Sequence, residues 1–109
     1  MDIELIKQQE SANDGQTINL YYDDMVGFYV AYGLSAYYVT MVVSPYMSYS
    51  LKLKMPVALL NHKDIIYLRQ SVTKLEHTPK TYYRFRLRAK VGTAGYDRWM
   101  KETFGDKVL

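Results

Sequence analysis

The sequence predicts an α+β fold, an antiparallel sheet of about five strands with two amphipathic helices packed on one face. Three observations carry this. Thr81–Val91 alternates apolar and polar or basic residues along its length. Ile65, Leu68, Val72 and Leu75 recur at helical spacing behind Asn61. The order of these patterns along the chain is strands, helix, strand, helix, and an antiparallel sheet can keep one face wet, as the Lys/Arg alternation requires.

The 109 residues suit one domain, 1–109, with no linker, repeat or low-complexity run. Ile3, Leu5 and Ile6 are too few to choose between a short helix and a strand. Asn13-Asp14-Gly15 is a turn signal. After it, Ile18, Leu20 and Tyr22 alternate with Thr17, Asn19 and Tyr21, the pattern of a strand. Asp23-Asp24 then punctuates. From Met25 to Leu51 no residue is charged. That length matches a membrane span, yet the stretch holds six tyrosines, four serines, a threonine and a proline. Tyr, Val, Phe and Thr favour strands, here Phe28–Tyr32 and Ala36–Val43, joined by a turn at Gly33-Leu34-Ser35. A helix within Met25–Val43 stays open as the alternative.

Met47, Tyr49, Leu51, Leu53 and Met55 share one face of a further strand, Ser48, Ser50, Lys52 and Lys54 the other, and Pro56 is expected to end it. Asn61 and Asp64 stand in capping-box positions before the first helix. His77-Thr78-Pro79 is expected to stop that helix, with His77 as a cation near its C-terminus. In Thr81–Val91, Tyr83, Phe85, Leu87, Ala89 and Val91 are predicted to face in, and Tyr82, Arg84, Arg86, Arg88 and Lys90 out. A last helix spans about Ala94 to Phe104, with Gly105 at its C′ position.

Charge is divided unevenly. Residues 1–45 carry a net −5 and residues 46–109 a net +8. A basic half suits an anionic partner, or pairing with the acidic half within a fold or across a dimer. Lys52, Lys54, Tyr82, Arg84, Arg86, Arg88 and Lys90 are therefore the candidate binding residues, on the expectation that their strands are neighbours. Gly92, Thr93 and Gly95 form a strand-to-helix loop whose N–H groups could hold an anion; it lacks P-loop spacing, and Thr93 as a helix cap explains it equally. The twelve tyrosines exceed what a small core needs, and the surplus suits a partner surface or cross-strand packing.

The chain has no cysteine, so no disulfide or thiolate site is expected, and a reducing, cytoplasmic location follows as an expectation. The acidic, polar start lacks the pattern of a secretory signal. No metal-ligand spacing and no cofactor motif is present: His62 and His77 are fifteen residues apart without H-E-x-x-H. Three functional readings follow. The first is a non-catalytic interaction module docking a protein, a second copy or an anionic partner through an open, Tyr-rich basic sheet face. The second is a single-stranded nucleic-acid binder, in which Arg and Lys hold phosphates and rings stack bases. The third is a small enzyme or ligand-binding domain with a Tyr-lined pocket, using His62, Asp64 or Asp24 as acid or base. A membrane partner is not expected.

Overall fold

The computed structural model describes residues 3–105. The elements are α1 (Ile3–Ser11), β1 (Thr17–Asp23), β2 (Phe28–Tyr32), α2 (Gly33–Val39), β3 (Tyr46–Ser50), β4 (Met55–Leu60), α3 (His62–Ser71), β5 (Thr73–Thr78), β6 (Tyr82–Arg86) and α4 (Tyr96–Phe104). The strands form one six-stranded antiparallel sheet in the order β3-β4-β2-β1-β6-β5. The α+β class and the antiparallel sheet are as expected. Among the described residues the strand count is one higher than expected, and there are four helices rather than two.

The main core lies on one face. Ile18 and Leu20 of β1, Tyr83 and Phe85 of β6, and Ala58 and Leu60 of β4 meet Ile65 and Leu68 of α3 and Ala36, Tyr38 and Val39 of α2. The alternation read in β1 and β6 is the cause. Ile18 pairs with Phe85 and Leu20 with Tyr83, so all four side chains leave the same side of the sheet. Burying Phe85 completely contributes about 1.5–3 kcal/mol.

The opposite face is not open throughout. Ile6 of α1 packs on Tyr21, Val30 and Tyr32, and with Met55, Val57 and Leu59 nearby they make a second apolar cluster. Helices therefore cover both faces, contrary to the expectation of one dry and one wet side. With just Ile6 and Glu10 buried, α1 gives little helical period to read.

Four further expectations are corrected. The second half of Met25–Val43 is the helix α2, not a strand. Gly33, Ser35, Ala36, Tyr38 and Val39 are all buried, so no polar face marks the helical period, and packing overrides the β-propensity of Tyr and Val. The long strand ending at Pro56 is instead a hairpin. Residues 51–54 turn, Lys54 takes a φ of 55°, Ser50 Oγ accepts the Leu53 N–H at 3.0 Å, and Pro56 lies inside β4 opposite Tyr49. The helix after Asn61, α3, stops at Ser71, and Val72 turns extended to start β5, which places His77 in a strand. Because β5 is exposed at every position, it carries no apolar alternation to find.

The late strand ends at Arg86 rather than Val91, because its partner β1 starts at Thr17. Leu87 still donates its N–H to Gln16 O at 2.8 Å, and the chain then crosses the Asn13-Asp14-Gly15 turn. Gly15 O accepts from Val91 N at 2.9 Å and Gly92 N at 3.0 Å. A side chain at Gly15, where φ is +84°, would strike the Gly92 backbone, so this crossing requires glycine. As expected, the turn, α3 behind an Asn61–Asp64 capping box, and α4 ending at Gly105 are all present. Among the described residues no helix is long and apolar enough to cross a membrane.

Candidate functional site

β6 lies between β1 and β5, so its outward residues are set by two neighbours. Tyr82, Arg84 and Arg86 leave the face opposite the main core. Arg84 is not a free cation. Its Nε donates to Asn19 Oδ1 at 3.2 Å, and its Nη1 pairs with Glu76 of β5 at 2.8 Å. Tyr82 donates its hydroxyl to the same Glu76 carboxylate. Arg86 is exposed beside Asp14, whose carboxyl sits below its usual pKa mainly through the hydrogen bonds of Thr17 and Gln16, with Arg86 adding a smaller pull.

Arg88 and Lys90 lie past the end of β6, both exposed. Arg88 donates from Nε to Ser71 O at 3.0 Å, which ties it to the end of α3. Lys52 and Lys54 sit elsewhere, in the turn between β3 and β4. β2 and β1 separate β4 from β6, a gap of about 14 Å at ordinary strand spacing. The structure thus brings Arg86, Arg88 and Lys90 to one margin and leaves the two lysines at the other.

In the Gly92–Gly95 loop the Gly92 N–H is already committed to Gly15 O, and its carbonyl accepts the Tyr38 hydroxyl at 2.6 Å. Gly95, not Thr93, occupies the cap position of α4. Thr93 shares a hollow with Glu10 and Asp97, two carboxylates that oppose an anion there.

Glu10 is the least expected feature. Only 4% exposed, it is a carboxylate inside the protein. Ser35 donates to it from N and from Oγ, both at 2.8 Å, and Asn19 Nδ2 donates at 3.1 Å. Asn13 Nδ2 adds a longer bond at 3.4 Å. Burial raises the Glu10 pKa, and the four donors pull against that rise. Through Asn19 the network reaches Arg84 and Glu76. Ser35 is itself fully buried and engaged, so it presents no exposed nucleophile. A glutamate followed by Ser11 at the end of a short, weakly patterned segment gave no sign of this.

His77 stacks flat on Tyr83 with ring centres 3.7 Å apart. Desolvation first, then the charges of Lys74 and Arg69, lowers its pKa. His62 and Arg69 edge a hollow lined by Tyr22, Tyr29 and Tyr83, whereas Asp64 lines the adjoining one and spends its carboxylate on Asn61 N at 3.1 Å. Asp24 is exposed in the turn after β1. The candidate acid and base groups therefore do not converge. Among the described residues no three His, Asp or Glu side chains are placed to share a metal ion.

The same margin that holds Arg88 and Lys90 also holds an open groove. Met41, Val42, Tyr67, Val72, Leu87 and Val91 line it, and Arg88 stands at its lip beside Ser71. Among the described residues no acidic one lines it. Lys90 falls between the lining residues Ala89 and Val91. Sequence reasoning found the two cations but not the apolar floor, which comes from three separate segments. No protein-family model, no curated protein and no solved structure matches the chain.

Proposed function

We propose that the chain is a non-catalytic interaction module that docks a partner protein in the groove between α3 and the segment following β6. The observation that carries this is the coincidence of an apolar floor with one cation, Arg88, at its lip. The complementary ligand is a segment with apolar side chains and flanking carboxylates. Its apolar groups would cover Leu87, Val72 and the half-exposed Tyr67, which is 54% exposed. Its carboxylates would meet Arg88 at the rim, with Lys90 close by in the chain, where charge favours fast, selective encounter more than tight holding. Tyr67 suits such a contact, since its ring offers large area for little lost freedom.

The test uses the full chain and three fluorescent probes: a peptide of alternating Leu/Phe and Asp/Glu, the same peptide with serine for its apolar residues, and a thymidine oligonucleotide. Binding of the first is expected, with a loss of at least about tenfold in R88E/K90E and in the serine peptide. Binding of the oligonucleotide alone, falling steeply with salt, would replace this reading with nucleic-acid recognition. No binding by any probe would end it.

A further inference from the structure

The two edges of the sheet are built differently. β5 closes one edge with Lys74, Glu76 and His77 and a register irregularity between Lys74 and Glu76, the usual guards against strand-to-strand association. β3 closes the other with Tyr46-Met47-Ser48-Tyr49-Ser50, regular in register and without any charge. A regular, uncharged edge strand presents a row of backbone donors and acceptors to any strand that can approach.

We propose that this edge pairs with β3 of a second copy of the chain, antiparallel about a two-fold axis at Ser48. This site is separate from the groove described above and does not depend on it. Identical antiparallel strands make a self-complementary contact that closes at two copies, provided the other edges are guarded, as they are here. Centring on Ser48 pairs all five residues of the strand. Tyr46 faces Ser50 and Met47 faces Tyr49, so each large side chain meets a smaller or a softer one and no like charges oppose.

Two exposed apolar residues mark the ends of the strand in this register. Tyr46 at its start is 73% exposed, and Leu51, where the chain turns back toward β4, is 76% exposed. The two-fold brings the start of β3 in each copy beside the end of β3 in the other, so Tyr46 is covered by the Ser50 end of its mate.

Sedimentation of the full chain at tens of micromolar is expected to give a mass twice that of one chain. S48K places two ammonium groups across the axis and is expected to sediment as a monomer with unchanged circular dichroism. Y46E puts a carboxylate on the strand end that the other copy covers and is expected to weaken the dimer at least about tenfold. Because the chain has no cysteine, S48C gives a single reporter. Mild oxidation should link it to itself far faster than T73C on β5. A wild-type monomer at millimolar concentration would overturn the proposal, as would a dimer in which S48C links no faster than T73C. R88E/K90E is expected to leave the dimer intact, so a failed groove and a failed edge are told apart.

Discussion

The Glu10 carboxylate accepts the Ser35 backbone N–H at 2.8 Å, across 25 residues of sequence. Ser35 lies in the first turn of α2, where Tyr32 at the cap position offers no side-chain hydrogen bond. Glu10 supplies what the local sequence lacks, an acceptor and a negative charge at a helix start. It thereby fastens α1 to α2, and through Asn19 it fastens both to β1.

Removing that carboxylate leaves buried donors on Ser35 and Asn19 without an acceptor, while Asn13 keeps its bond to Thr17 O at 2.9 Å. Glu10→Ala is expected to cost about 3 kcal/mol in urea unfolding. Glu10→Gln keeps one acceptor oxygen and turns the other into a donor facing donors, and is expected to cost about 1–2 kcal/mol. Equal losses for the two variants would show that shape, and not the hydrogen bonds, matters at this position.

The same group gives a pH signature. Its pKa is raised on folding, because burial disfavours the charge. The folded chain therefore holds the Glu10 proton more tightly than the unfolded chain does. The resulting stabilisation is complete below the ordinary value of 4.5 and is lost as pH rises through the raised folded value. The stability difference between wild type and Glu10→Gln should therefore grow as pH falls toward 4.5, all other carboxylates being common to both. Parallel stability curves from neutral pH to that point would contradict the assignment.

Gly95 meets the Tyr37 hydroxyl so closely that an added methyl group would overlap it, although the Gly95 φ of −90° is ordinary for any residue. Tyr37 cannot swing aside freely. Its ring lies 5.1 Å from Trp99, 5.5 Å from Tyr38 and 5.9 Å from Tyr96. Gly95→Ala is expected to cost about 1–3 kcal/mol through this clash. In Tyr37→Phe the new Cβ would meet ring carbon at 3.6 Å, an ordinary contact, so the second change should rescue the first. A double-mutant cycle with no coupling would place the cost of Gly95→Ala in the backbone instead.

What could be read in the sequence follows from where each element is buried. β1 and β6 each send alternate residues into the main core, and that alternation declared both the strands and the inward residues Ile18, Leu20, Tyr83 and Phe85. α3 and α4 carried their own signals, a capping box and a terminal glycine. α2 is covered nearly all round and β5 is exposed all along, so neither leaves a period. Position in the sheet was hidden for another reason. Lys52 and Lys54 alternate with apolar residues as Arg84 and Arg86 do, but alternation says nothing about which strands are neighbours. The groove and the Glu10 network were illegible because each is assembled from segments distant in the chain.

The guarded edge is itself testable. Lys74 and Glu76 are exposed, and the Glu76–Arg84 pair lies where solvent screens it, so K74T/E76T should change stability by no more than about 1 kcal/mol. It should change assembly more. With two uncharged edges, each copy offers a β3 contact on one side and a β5 contact on the other. Two different self-complementary contacts on opposite edges join copies into open chains rather than closed pairs. Light scattering is expected to show growth beyond the dimer with rising concentration in K74T/E76T. Adding S48K should cut those chains back to pairs held by β5. An unchanged mass in K74T/E76T would mean that the irregularity beside Leu75, and not charge, is what protects this edge.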